Sequence, residues 1–135
     1  LYADAAADWR LACRDRAHGS QDWHRFRIWL AESRLGREAQ AARELAGYLA
    51  SAPRENDWTA ATAAFLTGGQ REPAFLALAD TPAKECEGRY WAGAKRLLRR
   101  DLAGGAAHLR AAAATELPRI TEWRSARSDL RRLGG

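Results

Sequence analysis

Residues 22–55 read DWHRFRIWLAESRLGREAQAARELAGYLASAPRE, and this stretch decides the fold. The pattern predicts a helix from Asp22 that stops at Gly36, because glycine is the residue most often found just past a helix end. A second helix is predicted from Arg37 to just before Pro53, since its apolar residues recur at steps of three and four. The stretch therefore predicts two helices joined by a tight turn.

The same helical pattern continues on both sides of this stretch. β-Branched residues are few, and no run alternates apolar with polar residues for long. The sequence therefore predicts an all-α fold of about eight helices. We divide it into a partial repeat 1–19, a repeat 22–55, a degenerate repeat 56–85, a repeat 86–119 and a terminal helix 120–133. That last helix is apolar on one face and charged on the others, as the capping helix of a repeat array needs to be.

Residues 22–55 resemble the tetratricopeptide repeat (TPR) in length and in the places of small and large residues. The correspondence is carried by Ile28, Trp29, Gly36, Ala41, Leu45 and Pro53. Arg25 and Glu32 stand where the family prefers aromatic residues. The resemblance implies that 1–135 is a single α-solenoid domain of antiparallel helix pairs. It also implies a protein–protein interaction or scaffolding module without a cofactor.

The resemblance further implies which side chains line a ligand groove. In that family the first helix of each repeat lines the concave surface. The corresponding residues here are Trp23, Phe26, Leu30 and Arg34 in repeat 22–55 and Tyr90 in repeat 86–119. We therefore expect a peptide or partner protein to bind at these five residues.

The charge distribution suggests a second kind of ligand. Residues 1–88 carry 11 basic and 13 acidic side chains, whereas 89–135 carry 11 basic and 4 acidic ones. These arginines are either the solvated outer faces of the terminal helices or a patch for acidic ligands or nucleic acid. The patch would consist of Arg96, Arg99, Arg100, Arg127 and Arg131. Nucleic acid is disfavoured, because no recognition-helix motif and no aromatic residues interleaved with the basic ones are present.

Chemistry beyond binding has little support in the sequence. His18, His24 and His108 are far apart or wrongly spaced for metal ligands, and Cys13 and Cys86 are expected to be buried thiols. We therefore expect no catalytic, metal or cofactor site. A third alternative is the non-catalytic C-terminal part of a larger enzyme.

The ends and the composition add three expectations about context. The chain starts at Leu1 and contains no Met, so we expect further sequence upstream, which is itself a candidate partner. No run of 18 apolar residues predicts a membrane span. Abundant arginine and alanine are typical of a GC-rich bacterial genome, and the compartment, cytoplasmic or periplasmic, stays open.

Overall fold

The computed structural model describes residues 1–15 and 20–134, so His18 lies outside the described residues. Within those ranges all regular structure is helical, in eight α-helices, and this confirms the all-α prediction. The chain forms two compact units, Leu1–Thr67 and Gly68–Gly135. The boundary between them falls inside the predicted degenerate repeat 56–85.

The first unit is built around its second helix. Its helices are α1 (Tyr2–Asp15), α2 (Asp22–Arg34), α3 (Glu38–Ser51) and α4 (Asp57–Leu66). Helix α2 packs against the other three, and every residue from Phe26 to Ser33 is buried. A helix enclosed on all sides has no single apolar stripe. As predicted, α2 stops before Gly36, whose φ of +83° is a conformation that favours glycine.

A buried carboxylate ties α2 to the end of α3. The sequence suggests Ser20 or Asp22 as the cap of α2, but the residue at the capping position is Gln21, and its side chain makes no capping hydrogen bond. The Asp22 carboxylate instead accepts three hydrogen bonds. They come from the Tyr48 hydroxyl at 2.7 Å, an Arg54 N–H at 2.8 Å and the Glu55 backbone N–H at 2.8 Å. Asp22 therefore fixes where the chain lies after α3.

The second unit is built around its longest helix. Its helices are α5 (Glu72–Ala77), α6 (Pro82–Leu98), α7 (Leu102–Ala113) and α8 (Thr121–Arg132). Helix α6 packs against all the others. The two helices α6 and α7 approach each other closely where Gly93 faces Gly105. A Cβ at Gly105 would lie 2.6 Å from the Leu97 side chain and 3.2 Å from the Gly93 carbonyl oxygen. A side chain at position 105 would therefore displace Leu97 or the Gly93 backbone.

Two helix starts differ from the predictions, in both cases because of capping. The apolar pattern predicts a helix from Glu85 to Arg99, but α6 begins at Pro82, three residues before Glu85, with Thr81 as its cap. Proline suits the first turn of a helix, where its missing N–H would have no partner. The sequence suggests Asp57 as the cap of α4, but the cap is Asn56, which forms a reciprocal capping box with Thr59.

The inner face of α8 attaches it to α6 and α7. The Trp123 indole N–H donates to the Ala113 carbonyl oxygen at 2.9 Å. The Tyr90 hydroxyl of α6 donates to the Asp129 carboxylate at 3.3 Å, and Ala126 between them is fully buried. This contact leaves the opposite face of α8 toward solvent.

Candidate functional site

Three of the five residues predicted to line a groove belong to the interior. Phe26, Leu30 and Tyr90 are 0%, 3% and 1% exposed. A ligand groove built on these side chains requires them at the surface, and they are not there. Trp23 and Arg34 are half-buried, and the Trp23 ring packs edge-on against Phe26 at 5.4 Å between centroids. Only these two members of the predicted groove offer surface to a partner.

The predicted anion patch is also divided by the structure. Arg96 forms ion pairs with Glu72 and with Asp101, the latter at 2.8 Å. These acidic neighbours raise the pKa of Arg96 further above its ordinary value. Its charge is therefore neutralised within the second unit. Arg99 and Arg100 are exposed in the turn between α6 and α7.

His108 completes this ion-pair cluster. Its Nε2 lies 2.7 Å from the Glu72 carboxylate, and its Nδ1 lies 3.2 Å from an Arg89 guanidinium nitrogen. Because arginine can only donate, Nδ1 accepts and the proton of the neutral ring is on Nε2. Burial lowers the pKa of His108, and Arg89 and Arg96 lower it further, against the opposing effect of Glu72.

This arrangement is structural in character. Both ring nitrogens of His108 have protein partners, so neither is available to act as a base toward a substrate. Burial alone would raise the pKa of Glu72, but the hydrogen bond from Arg96 and the charges around it hold that pKa below its ordinary value. A carboxylate held in its ionised form by ion pairs anchors α5 to α6 and α7.

The net positive charge belongs to the second unit. Residues 68–135 carry 13 basic and 8 acidic side chains, whereas residues 1–67 carry 9 of each. Five of the eight acidic side chains of the second unit are buried or bonded to arginine, whereas Asp80 and Glu116 are exposed. Glu122 and Asp129 are 5% and 6% exposed, and Glu72, Glu85 and Asp101 accept hydrogen bonds from arginines of α6. The exposed charge of this unit is therefore mainly that of its arginines.

Three of those arginines share the outer face of α8. Arg124, Arg127 and Arg131 are all exposed and follow a spacing of three and then four residues. At 3.6 residues per turn they lie within an arc of about 60°. We call this set the α8 arginine stripe. The sequence places no acidic residue three or four positions from any of its members.

Two of the stripe guanidiniums are positioned by neighbouring groups. That of Arg127 lies over the Trp123 ring, 4.7 Å from its centroid. That of Arg124 donates to the Pro118 carbonyl oxygen at 2.7 Å. Contacts of this kind already restrict the side chains, so less side-chain entropy is lost when a ligand binds. The neighbouring Arg132 pairs instead with Asp129 at 3.0 Å.

Arg124 is the member of this site that the predicted patch omits. The signal was present in the sequence, because Arg124, Arg127 and Arg131 follow the spacing of one helical face. The predicted patch rests on the excess of basic over acidic residues in 89–135. It therefore included Arg96, whose partner Glu72 lies 24 residues away.

Other kinds of site find no support in the described residues. Among residues 1–15 and 20–134, no three His, Cys, Asp or Glu side chains lie together in a way that could hold a metal ion. Over the same ranges, no helix combines the length and apolar character needed to cross a membrane. Comparison with protein-family models, curated proteins and solved structures found no match.

Proposed function

We propose that this chain is a protein-interaction module that binds an acidic segment of a partner protein through the α8 arginine stripe. One observation above all supports it: three exposed arginines share one face of a helix, and no acidic residue lies three or four positions from any of them. Like charges at these spacings destabilise a helix by a few tenths of a kcal/mol per pair. Carboxylates of a partner would remove this repulsion and pair with the guanidiniums.

The helical scaffold supports the same class of function. The similarity of residues 22–55 to the tetratricopeptide repeat favours a scaffolding protein of stacked antiparallel helix pairs. Helix α8 would then be the capping helix of the array, with its apolar face inward and its charged face outward.

A protein ligand is favoured over nucleic acid. Binding of single strands relies on aromatic side chains that stack on bases. The aromatic residue beside the stripe, Trp123, has the Arg127 guanidinium over its ring and its N–H bonded to a backbone carbonyl. This ring is therefore occupied by contacts within the chain.

The expected strength of the interaction is modest. One exposed ion pair contributes about 0.2–1 kcal/mol, so three contribute at most about 3 kcal/mol, or roughly a hundredfold in affinity. Binding should weaken as salt is raised, because exposed charges are screened.

Fluorescence anisotropy with a labelled glutamate-rich peptide tests the proposal. The test variant replaces Arg124, Arg127 and Arg131 by glutamine. The control replaces three exposed arginines elsewhere, Arg14, Arg43 and Arg110, so that both variants have a net charge of +2. The test variant should lose most of the affinity and the control should retain most of it.

Two results would count against the proposal. Equal loss in both variants would mean that net charge alone attracts the peptide. Full displacement of the peptide by an equal concentration of single-stranded oligonucleotide of the same charge would favour the nucleic-acid alternative.

A further inference from the structure

The spacing of the α8 arginine stripe carries information about the shape of its ligand. Helix α8 is a regular helix of 12 residues, and a helix rises 1.5 Å per residue. Along its axis Arg124 and Arg127 are therefore about 4.5 Å apart and Arg127 and Arg131 about 6 Å apart. The whole stripe spans about 10.5 Å.

An extended acidic segment fits this spacing poorly. In a β-strand, side chains on one face recur every two residues, or about 6.6–6.8 Å. Three carboxylates on that face would span about 13 Å, which is longer than the stripe. Arginine side chains can bend toward such a ligand. Such bending would move the guanidiniums of Arg124 and Arg127 from the positions that they take beside Pro118 and Trp123.

A helical ligand fits the stripe without this adjustment. Acidic residues at steps of three and four along a second helix repeat the axial spacing of the stripe, about 10.5 Å over seven residues. They also share one face within the same arc. Each carboxylate can then meet one guanidinium when the two helices lie side by side.

We propose that the occupant of the α8 arginine stripe is an acidic helix of a partner protein that docks along α8. Three carboxylates of this helix, spaced by three and four residues, would face the stripe. The inference rests on the proposed function, because it assumes that the stripe binds a protein, and it adds the conformation and the charge pattern of that protein. The surface of α8 supplies the complementary charge.

Three labelled peptides of identical composition and charge test this inference. The first is a helix stabilised by a side-chain crosslink, with three glutamates on one face at steps of three and four. The second has the same crosslink but distributes its glutamates evenly around the helix. The third keeps the glutamate spacing of the first but carries its prolines in the interior, where they break a helix. The first two peptides carry their prolines at the ends.

Binding of each peptide is measured on the intact chain and on the variant with Arg124, Arg127 and Arg131 replaced by glutamine. The first peptide should bind the intact chain at least about threefold more tightly than the other two, since these can form fewer of the ion pairs at once. This preference should disappear in the variant.

The outcomes separate the inference from the proposed function. If the proline peptide binds the intact chain as tightly as the first, and both depend on the stripe, the stripe binds acidic chains of any conformation and the helical partner is wrong. Equal binding of the two crosslinked helices would overturn the charge pattern. If no peptide distinguishes the intact chain from the variant, the proposed function itself fails.

Discussion

Replacing Asp22 by alanine should strongly destabilise the first unit. The Asp22 side chain is buried, and buried polar or charged groups that lose their partner are costly. The substitution removes the partner of the Arg54 guanidinium, whose side chain is 15% exposed, and of the Glu55 backbone N–H. Breaking a buried ion pair from one side costs about 3–5 kcal/mol. We expect a loss in that range.

Tyr48→Phe is the matched smaller change. It removes the 2.7 Å hydrogen bond to Asp22 and leaves the ring in place. A hydrogen bond to a charged group contributes about 1.5–3 kcal/mol. The same hydroxyl accepts a hydrogen bond from the Gln21 backbone N–H at 3.2 Å, so its removal affects both contacts. The loss should still be smaller than that caused by Asp22→Ala.

The assay is urea unfolding of the single and double variants, followed by far-ultraviolet circular dichroism. Because Asp22 and Tyr48 share one network, the double variant should lose less than the sum of the single losses. Strict additivity, or a loss below about 1 kcal/mol for Asp22→Ala, would show that this carboxylate does not hold the segment after α3, since surface substitutions change stability by amounts of that size or less.

Three further predictions concern the second unit and the surface of α3. Gly105→Ala should lower the free energy of unfolding, because the new methyl group would meet Leu97 and the Gly93 carbonyl. Gly47→Ala in the interior of α3 should raise it by about 0.5–1 kcal/mol, because nothing lies within 4 Å of the new atom and alanine favours helix. Equal effects of the two substitutions in urea unfolding would refute the close α6–α7 contact. Acid should also destabilise the second unit, because burial holds the pKa of His108 below its ordinary 6.5. As the pH drops, His108 binds a proton in the unfolded chain before it does so in the folded chain, and stability therefore falls below about pH 6.5. The lowered pKa of Glu72 extends this loss of stability below pH 4.5. When unfolding is measured against pH, His108→Gln should remove the loss of stability between pH 6.5 and the lowered pKa of His108. An unchanged slope in that range would contradict the prediction.

The positions of the helices were largely predictable because they depend on local patterns. Apolar spacing and the turn at Gly36 placed α2 and α3 to within a few residues. The start of α6, predicted at Glu85, lies three residues earlier, at Pro82. In the structure Thr81 caps the helix and Pro82 occupies its first turn. Such capping contacts decide helix ends more than hydrophobic periodicity does.

Exposure was harder to predict than helix position. The positions of Phe26 and Tyr90 were assigned from a resemblance, yet burial depends on which helices surround α2 and α6, and the periodicity of one helix does not determine that. Arg96 and Arg99 look alike in sequence. Only the fold brings Glu72 to Arg96. The α8 arginine stripe depends on spacing within one helix and could be read from the sequence.

The most direct test of the account is a map of backbone amide shifts in an isotope-labelled chain during titration with the crosslinked acidic helix. We predict that the largest changes follow α8, at Arg124, Arg127 and Arg131, together with the indole N–H of Trp123. Changes centred on Trp23 and Arg34 would instead place the ligand at the accessible part of the predicted groove and would contradict the proposed binding surface. Changes spread evenly over the arginines of both units would contradict a specific surface altogether.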